Sequence, residues 1–332
     1  MNTFGRLFRV HIFGESHGES VGVVIDGCPA GLSVDETLLL PDLERRKGGI
    51  QKGTTPRKEE DVPLFKSGIF NGKTTGAPIA LFFENKNTRS EDYTTQRNIP
   101  RPGHADFVAN KKFGGYEDYR GGGHSSARLT TGLVAAGSIA KKIINHCSIE
   151  AHVIEIAGES DPDKGLQKAI DAKDSVGGII ECRVNNLPIG LGEPFFDSVE
   201  SLLAHALFSI PAVKGVEFGS GFSAARMFGS EHNDAIVDAN GTTKSNHAGG
   251  INGGITNGNE LVFRIAIKPA SSTPKQQESL NWETNTVETF SIKGRHDLCV
   301  ALRAPVIVEA LTAIVLADLF LLEQQTQRRY TD

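Results

Sequence analysis

Histidine occurs in four short segments that are rich in glycine and arginine and lie far apart along the chain. They are Gly14-Glu15-Ser16-His17-Gly18, Arg101-Pro102-Gly103-His104-Ala105-Asp106, Gly121-Gly122-Gly123-His124-Ser125-Ser126-Ala127-Arg128 and Gly294-Arg295-His296-Asp297. Glycine lets a backbone approach a ligand, arginine pairs with anions, and histidine titrates near neutral pH. We therefore predict one enzymatic pocket, assembled from distant loops, that handles an anion.

A run of cations supports the same interpretation. Six basic residues lie between Arg45 and Lys58, around two adjacent glycines. Such a run is either a solvated face or a flexible loop that closes on phosphate or carboxylate groups. The neighbouring glycines favour the loop.

The glycine-rich segment before His124 leads through two serines into a predicted helix. The N-terminus of a helix presents free N–H groups and the positive end of its dipole. Arg128 adds a cation at the same place. This combination predicts a phosphate or flavin-phosphate site. It is not a Walker loop, because no Lys-Ser/Thr pair follows the glycines.

The segment around Ser16 also fits the Gly-x-Ser-x-Gly pattern of a hydrolase nucleophile elbow. That elbow requires a strand, a sharp turn and then a helix. Residues 20–26 are predicted to be a strand, and one strand precedes Ser16, so we reject a hydrolase. We interpret His17 and His104 as candidate proton donors near neutral pH, since neither has the spacing of a zinc ligand. Asp297 follows Arg295 closely, which would keep its carboxylate ionised and available as a base.

The composition is that of a soluble globular protein. Of 332 residues, 39% are hydrophobic and 23% charged, and the net charge is −5. This balance argues against nucleic acid as a partner. The four cysteines are scattered, and the N-terminus has no secretory signal pattern, so we predict a cytoplasmic location. The apolar run from Ala304 to Leu322 is interrupted by Glu309 and Asp318, which predicts a core helix and no membrane span.

Apolar periodicity predicts an α/β protein with a single domain over residues 1–332. The predicted strands are Phe8–Phe13, Val21–Asp26, Ile79–Glu84, His152–Ile156, Ile179–Val184 and Leu261–Lys268. The predicted helices are Leu38–Arg46, Leu129–His146, Asp197–Ser209 and Pro305–Glu323. Ser33 with Glu36 predicts a capping box for the first helix, and Asp197 is the predicted N-cap of the third. Long polar loops are predicted at Arg45–Lys66, Asn85–Gly103, Ser230–Gly258 and Ser271–Gly294.

Two further motifs complete an ordered series of six. They are Ser245-Asn246-His247-Ala248-Gly249-Gly250 and Lys268-Pro269-Ala270-Ser271-Ser272. Together with the four segments above, they resemble the chorismate synthase family, in order and over essentially the whole chain. The resemblance implies a carbon–oxygen lyase acting on phosphates. Its reaction would convert 5-enolpyruvylshikimate 3-phosphate to chorismate and phosphate by anti-1,4-elimination with reduced FMN, in the shikimate pathway to aromatic amino acids.

The resemblance also implies an architecture and an assembly. The fold would be an α+β type, a β-α-β sandwich with helices between antiparallel sheets, and the protein would be a homotetramer. No separate dinucleotide fingerprint is present, so we expect reduced flavin from an external source, with NADPH as the alternative reductant.

The resemblance supplies the roles of individual residues. His17 and His104 would be catalytic and protonated near the flavin and the leaving phosphate, and Asp297 would relay a proton at flavin N5. The residues implied around substrate anions or NADP are Arg46, Lys52, Arg101 and Arg128. The residues implied at the flavin are His124, Ser125, Ser126, Pro211, Ala212, Gly253, Lys268, Pro269, Ala270, Ser271, Ser272 and Arg295. No metal is implied.

The sequence departs from the family pattern at three of these positions. Lys52 and His124 stand where arginine is common, and Pro211 stands where asparagine is common. The histidine at 124 predicts weaker flavin binding above neutral pH. The alternative hypothesis is a non-catalytic flavin- or phosphate-binding protein. Two imidazoles together with Asp297 argue against it, because binding alone needs cations and no base.

Overall fold

A computed structural model describes residues 1–49, 51–57, 59–88, 97–292 and 296–325. Its strands are β1 (Thr3–Phe4), β2 (Arg9–Gly14), β3 (Ser20–Asp26), β4 (Leu64–Ser67), β5 (Ile69–Phe70), β6 (Lys73–Thr74), β7 (Ile79–Glu84), β8 (Ser148–Ile156), β9 (Gly178–Asn185), β10 (Val213–Phe218), β11 (Ile251–Asn252), β12 (Ile255–Thr256), β13 (Leu261–Ile267), β14 (Gln277–Asn281) and β15 (Thr286–Phe290). Its helices are α1 (Glu36–Arg46), α2 (Asp106–Phe113), α3 (Thr130–Ile143), α4 (Pro162–Ala172), α5 (Val199–Leu207), α6 (Gly229–His232) and α7 (Pro305–Gln325).

Two antiparallel sheets form the outer layers of the fold. The strand order is β1-β2-β3-β7-β4 in the first sheet and β10-β13-β9-β8 in the second. The register places buried apolar residues opposite one another, as with Val23 and Leu81 in the first sheet and Ile265 and Ile180 in the second. Successive side chains of a strand point to opposite faces, so each sheet presents an apolar face to the layer between them.

Helices α3 and α7 fill the space between the sheets. α3 packs on β3, α7 packs on β8 and β9, and the two helices pack on each other. A Cβ atom on Gly137 would lie 2.3 Å from the Cβ atom of Ala310, so a larger residue would force the helices apart. Residues 130–140 and 306–319 are buried throughout, which explains why these helices are apolar on all sides.

This layering confirms the predicted sandwich of helices between antiparallel sheets. Each predicted strand and helix overlaps an observed one. The predicted loop Ser230–Gly258 is wrong in part, because it contains most of α6 and the short β11–β12 pair. The predicted loop Ser271–Gly294 is also wrong in part, because it contains the β14–β15 hairpin. Its strands alternate half-buried and exposed positions and carry mostly polar side chains, so hydrophobic periodicity did not reveal them.

Two predicted helix caps are wrong by one or two residues. Asp35, and not Ser33, accepts a backbone N–H from the first turn of α1. Ser198 caps α5 in the same way. Asp197 forms an ion pair with Arg6 instead, and that tertiary contact outweighs its local capping preference.

The two carboxylates that interrupt α7 are buried and satisfied. Asp318 accepts from the backbone N–H groups of residues 6–8 at 2.7 to 3.1 Å. Glu309 accepts two hydrogen bonds from the Arg45 guanidinium at 2.7 Å and one from the Ala151 N–H at 3.1 Å. By length and composition α7 could cross a membrane, but 78% of its most apolar window is buried in the fold. The predicted core helix is therefore confirmed.

Replacing Asp318 with asparagine is expected to lower the free energy of unfolding by about 1.5–3 kcal/mol, since a charged acceptor of several buried N–H groups becomes a neutral amide with one acceptor oxygen. Chemical denaturation at neutral pH measures the change. Glu278→Gln, at an exposed position, serves as the control. Unchanged stability of Asp318→Asn would show that the charge of Asp318 contributes nothing to the free energy of unfolding.

Candidate active site

A cavity of about 410 Å³ lies where the loops before α2, α3 and α7 meet the loops that follow α1 and β13. Distant segments of the chain therefore form one pocket, as their composition predicted. The predicted site residues that line it are Arg46, Arg101, His104, Ser125, Ser126, Arg128, Pro211, Ala212, Lys268, Pro269, Ala270, Ser271, Ser272 and Asp297.

Basic side chains outnumber acidic ones in the described wall of this pocket, which we call the cationic cavity. The basic residues are Arg46, Lys47, Arg57, Arg101, Arg128, Lys268 and Arg303, and the acidic ones are Glu59, Asp61 and Asp297. Fixed cations in a concave site attract anionic ligands. Arg46 is 4% exposed, and its Nε–H has no acceptor in the described part of the chain, so this donor remains for an anion.

Asp61 lies between two of these guanidinium groups. It accepts from Arg46 at 2.9 Å and from Arg128, and its own side chain is fully buried. Burial alone would raise the pKa of Asp61, but the charges of Arg46 and Arg128 outweigh it and lower the pKa. The carboxylate stays ionised and aligns both guanidinium groups along the cavity wall.

His104 is held by the residues around it. Its Nδ1 lies 2.6 Å from the Asp106 carboxylate, which also accepts from Arg101 at 2.7 and 2.8 Å. Burial would raise the pKa of Asp106, but hydrogen bonds from Arg101 and His104 bring that pKa well below its usual range. The Arg101 guanidinium also lies 3.1 Å from Nδ1, but the ionised Asp106 carboxylate is closer and favours a proton on Nδ1, which leaves Nε2 as the nitrogen that exchanges a proton with a ligand.

His17 is buried behind the wall of the cationic cavity. It lies in the turn between β2 and β3, so the strand that argued against a nucleophile elbow is confirmed. A Cβ atom on Gly121 would lie 2.3 Å from the His17 ring, and the φ of Gly121 is +60°, so this position requires glycine. Burial, followed by the charges of Arg57 and Arg120, lowers the pKa of His17. The resemblance implies a protonated ring, whereas these surroundings favour the neutral one.

Replacing His17 with glutamine is expected to make the fold less sensitive to acid. Because the folded pKa lies below the ordinary value, the unfolded chain binds the proton more readily, and the stability of the wild-type protein falls as the pH decreases through about 6.5. Glutamine does not titrate, so His17→Gln should lose less stability over this interval. Urea denaturation above and below that pH measures the difference, with His152→Gln, at an exposed ring, as the control. An equal loss in His17→Gln and wild type would contradict the expectation.

Asp297 is held from two sides in the cavity wall. Its carboxylate accepts from the Thr55 N–H at 2.8 Å and from the Arg303 guanidinium at 3.0 Å. Sequence proximity predicted Arg295 as the neighbouring cation. Arg295 lies outside the described residues, and the guanidinium that the structure places against Asp297 is that of Arg303.

A second cavity of about 480 Å³ adjoins the first, and we call it the apolar cavity. His104 and the two serines that follow His124 line both cavities. The name refers to one wall, which includes Ile12, Leu129, Leu133, Phe208, Ile210 and Val213. The rest of the lining is largely polar, with His124, Thr130 and Ser209 beside the residues shared with the cationic cavity. Lys214 and Lys268 also line it, and burial, followed by the charge of Lys214, lowers the pKa of Lys268.

Two predicted ligand-binding residues lie away from both cavities. Lys52 is exposed, and its Nζ lies 3.4 Å from Gln167. Gly253 lies between β11 and β12, beside the start of α5, whereas Pro211 follows the end of that helix. Nine residues of helix separate the two ends by roughly 13 Å. Within one chain, neither residue joins the cationic cavity.

His124 lines the apolar cavity but not the cationic one. Its Nδ1 lies 2.8 Å from the Gly14 carbonyl, and its Nε2 lies 3.0 Å from Asn2 Oδ1. The ring therefore joins the N-terminal strands to the glycine loop. Where the resemblance implies a long cation, this chain has a ring that is held by the Gly14 carbonyl and by Asn2.

Asn85 supports the site, although no motif indicated it. Its side-chain oxygen accepts from Arg128 Nε at 2.9 Å, and its amide nitrogen donates to the carbonyls of Glu15 and Gly18 at 3.0 and 2.8 Å. Asn85 thus connects the turn that carries His17 to the cavity wall. A single asparagine after a strand is too common for sequence alone to assign this role.

The layered fold and the cationic cavity define a class of protein that binds a small anionic molecule between its loops. The sequence model of the family described as chorismate synthase matches residues 8–321. A chorismate synthase of Chitinophaga pinensis is 67% identical over 329 aligned positions, which cover 99% of each chain. One of Dehalococcoides mccartyi is 47% identical over 351 aligned positions, which cover 96% of each chain. The chain belongs to the chorismate synthase family and is a lyase.

A solved structure agrees with this assignment. It is described as a crystal structure of chorismate synthase, and it matches with a TM-score of 0.74 and 29% identity, over 96% of this chain and 93% of that one. The match confirms the α+β fold class. The comparisons give no support to a non-catalytic binding protein.

Proposed function

We propose that this enzyme converts 5-enolpyruvylshikimate 3-phosphate to chorismate and phosphate by anti-1,4-elimination with reduced FMN. The position of His104 carries the proposal: it stands between a cationic and an apolar cavity and is held by Asp106. Loss of phosphate requires positive charge and a proton donor where the leaving group departs. The cationic cavity offers both.

The substrate would be held by the guanidinium groups of Arg46, Arg101 and Arg128. Arginine binds phosphate and carboxylate through two parallel hydrogen bonds, so it orients these anions as well as attracting them. Asp61 and Asp106 fix the guanidinium planes before the substrate binds. The guanidinium groups would then need little reorientation when the substrate reacts, and such preorganisation favours catalysis.

The protons would be handled by His104, His17 and Asp297. His104 would donate from Nε2 to the leaving phosphate while Asp106 holds Nδ1. His17 lies where burial disfavours its proton, so an adjacent anion would raise its pKa and protonate it. Asp297, which accepts from Thr55 and Arg303, would take up the proton that the elimination releases.

The apolar cavity fits a flavin in size and chemistry. Its volume of about 480 Å³ lies within the usual range of about 300–1,000 Å³ for small-molecule sites. The apolar wall suits a planar ring system, and the hydroxyls of Ser125 and Ser126 with Lys268 and Lys214 suit its polar edge and phosphate. Ser271 and Ser272 line the adjoining cationic cavity. Pro211 has no N–H and can offer its carbonyl alone. Bound there, reduced FMN would supply transient electron donation without net redox change.

The test is an anaerobic assay with 5-enolpyruvylshikimate 3-phosphate and chemically reduced FMN. We expect chorismate and phosphate in equal amounts. A parallel reaction with FMN and NADPH alone tests for an internal reductase, and we expect no product there. Failure to release phosphate with reduced FMN would overturn the proposed function.

We also propose a cytoplasmic homotetramer, without a nucleic-acid partner. Phe195, Phe196, Phe222 and Phe228 are between 78% and 92% exposed in the single chain, and such aromatic residues commonly mark subunit contacts. Sedimentation equilibrium should give four times the chain mass of 35.6 kDa. Phe196→Asp should lower that mass, and a monomeric wild-type protein would contradict the proposal.

A further inference from the structure

Arg303 makes contacts in two directions from the wall of the cationic cavity. Its NH1 donates to both oxygens of the Asp297 carboxylate, at 3.0 and 3.3 Å. Its Nε donates to the backbone carbonyl of Arg46 at 3.0 Å. The side chain is 18% exposed and lines the cationic cavity. A single planar guanidinium thus joins the loop before α7 to the end of α1.

We propose that Arg303 is a positioning residue that fixes the Asp297 carboxylate for proton transfer. The inference rests on the proposed function, in which Asp297 takes up a proton. A carboxylate rotates about its terminal bond unless its oxygens are held. Arg303 NH1 holds both oxygens, and the Thr55 N–H holds Oδ1 from another loop. The remaining lone pairs are then presented to the cavity in one orientation.

The anchor of Arg303 relates Asp297 to the substrate-binding wall. Arg46 is the last residue of α1, and its guanidinium is fixed on Asp61 while its carbonyl binds Arg303. Arg46 therefore offers its guanidinium to the substrate and its backbone carbonyl to Arg303, which in turn holds Asp297. This arrangement sets the distance between the bound anion and the Asp297 carboxylate.

The geometry requires arginine at this position. The two bonds leave from separate nitrogens of one rigid fork, whereas lysine has a single nitrogen on a flexible stem. Lysine can keep the charge beside Asp297 or reach the Arg46 carbonyl, but it cannot reproduce both contacts at once. We therefore expect Arg303→Lys to keep the positive charge but lose the fixed orientation of the Asp297 carboxylate. Arg303→Gln should lose both.

The experiment measures steady-state kinetics of Arg303→Lys, Arg303→Gln, Asp297→Asn and the double variant Arg303→Gln/Asp297→Asn. The anaerobic assay with reduced FMN is used throughout. A misplaced catalytic group costs about 100-fold in rate. We expect kcat to fall by about that factor in Arg303→Gln and by less in Arg303→Lys, with KM changed by less than about threefold. Arg226→Gln, at an exposed arginine, is the control, and thermal unfolding confirms that each variant is folded.

The double variant separates positioning from other effects. If Arg303 acts through Asp297, Arg303→Gln should slow the Asp297→Asn enzyme no further. Multiplied losses, a change confined to KM, or an unchanged kcat in Arg303→Gln would each overturn the inference. Wild-type activity of Asp297→Asn would overturn it as well. Absence of chorismate with the wild-type enzyme would identify a failure of the proposed function itself.

Discussion

Replacing His104 with alanine is expected to lower kcat by ~10²–10⁴-fold, the usual contribution of a positioned general acid. His104 lines both cavities and has its Nδ1 fixed on an ionised Asp106, so the loss should fall on proton transfer to the leaving phosphate. KM should change little, because Arg46, Arg101 and Arg128 hold the substrate in the proposed complex. Steady-state kinetics under anaerobic conditions with reduced FMN measure both parameters.

Two further measurements test the role of this ring. Added imidazole should restore part of the activity of His104→Ala, because its protonated form can enter the space left by the side chain and donate the same proton. Asp106→Asn should lower kcat less than His104→Ala does, since it weakens the orientation of the ring and keeps the ring itself. His152→Gln, at an exposed ring, should behave as wild type. Equal effects of His104→Ala on kcat and on substrate affinity would show that His104 only binds the substrate and does not transfer a proton.

The histidine clusters could be predicted from sequence because their signal is local. In the segment that carries His104, arginine, histidine and aspartate lie within six residues, and all three side chains meet in the structure. The turn before α2 brings these three side chains together through contacts between residues that are close in sequence. The helices and strands were likewise accessible, since buried elements leave strong apolar patterns. Their arrangement as a sandwich came from the family resemblance and not from those patterns.

The partners of the other charged groups could not be predicted, because they come from distant parts of the chain. Asp61 lies 15 residues from Arg46 and 67 from Arg128, and only the packing of the loop after α1 against α3 brings them together. The φ of Asp61 is +51°, a left-handed backbone conformation that no sequence motif predicts at this position. Arg303 lies six residues beyond Asp297, but its second contact is to a carbonyl 257 residues away. Such contacts follow from the tertiary fold alone.

Replacing Asp61 with asparagine is expected to lower the free energy of unfolding by about 3–5 kcal/mol, because two buried guanidinium groups lose their shared counter-charge. Arg46 and Arg128 have side chains only 5% and 4% exposed, so water cannot replace the carboxylate. Asparagine has the same shape as aspartate and tolerates the left-handed backbone at this position, so the loss reports on charge. Urea denaturation at pH 7 measures it, and Glu278→Gln, at an exposed carboxylate, should be neutral.

Acid should reduce the difference between wild type and Asp61→Asn. The folded pKa of Asp61 is lowered, so its stabilising effect is complete above the ordinary carboxyl pKa of about 3.9 and is lost as the pH falls through the folded value. Sulfate should also reduce this difference, because it stabilises the variant. In Asp61→Asn a neutral amide replaces the carboxylate, so the two guanidinium groups attract a bound anion more strongly. Ligand binding to the folded state raises its stability. Sulfate should therefore stabilise Asp61→Asn more than wild type. An equal gain in both proteins would show that Asp61 does not set the charge of the cavity wall.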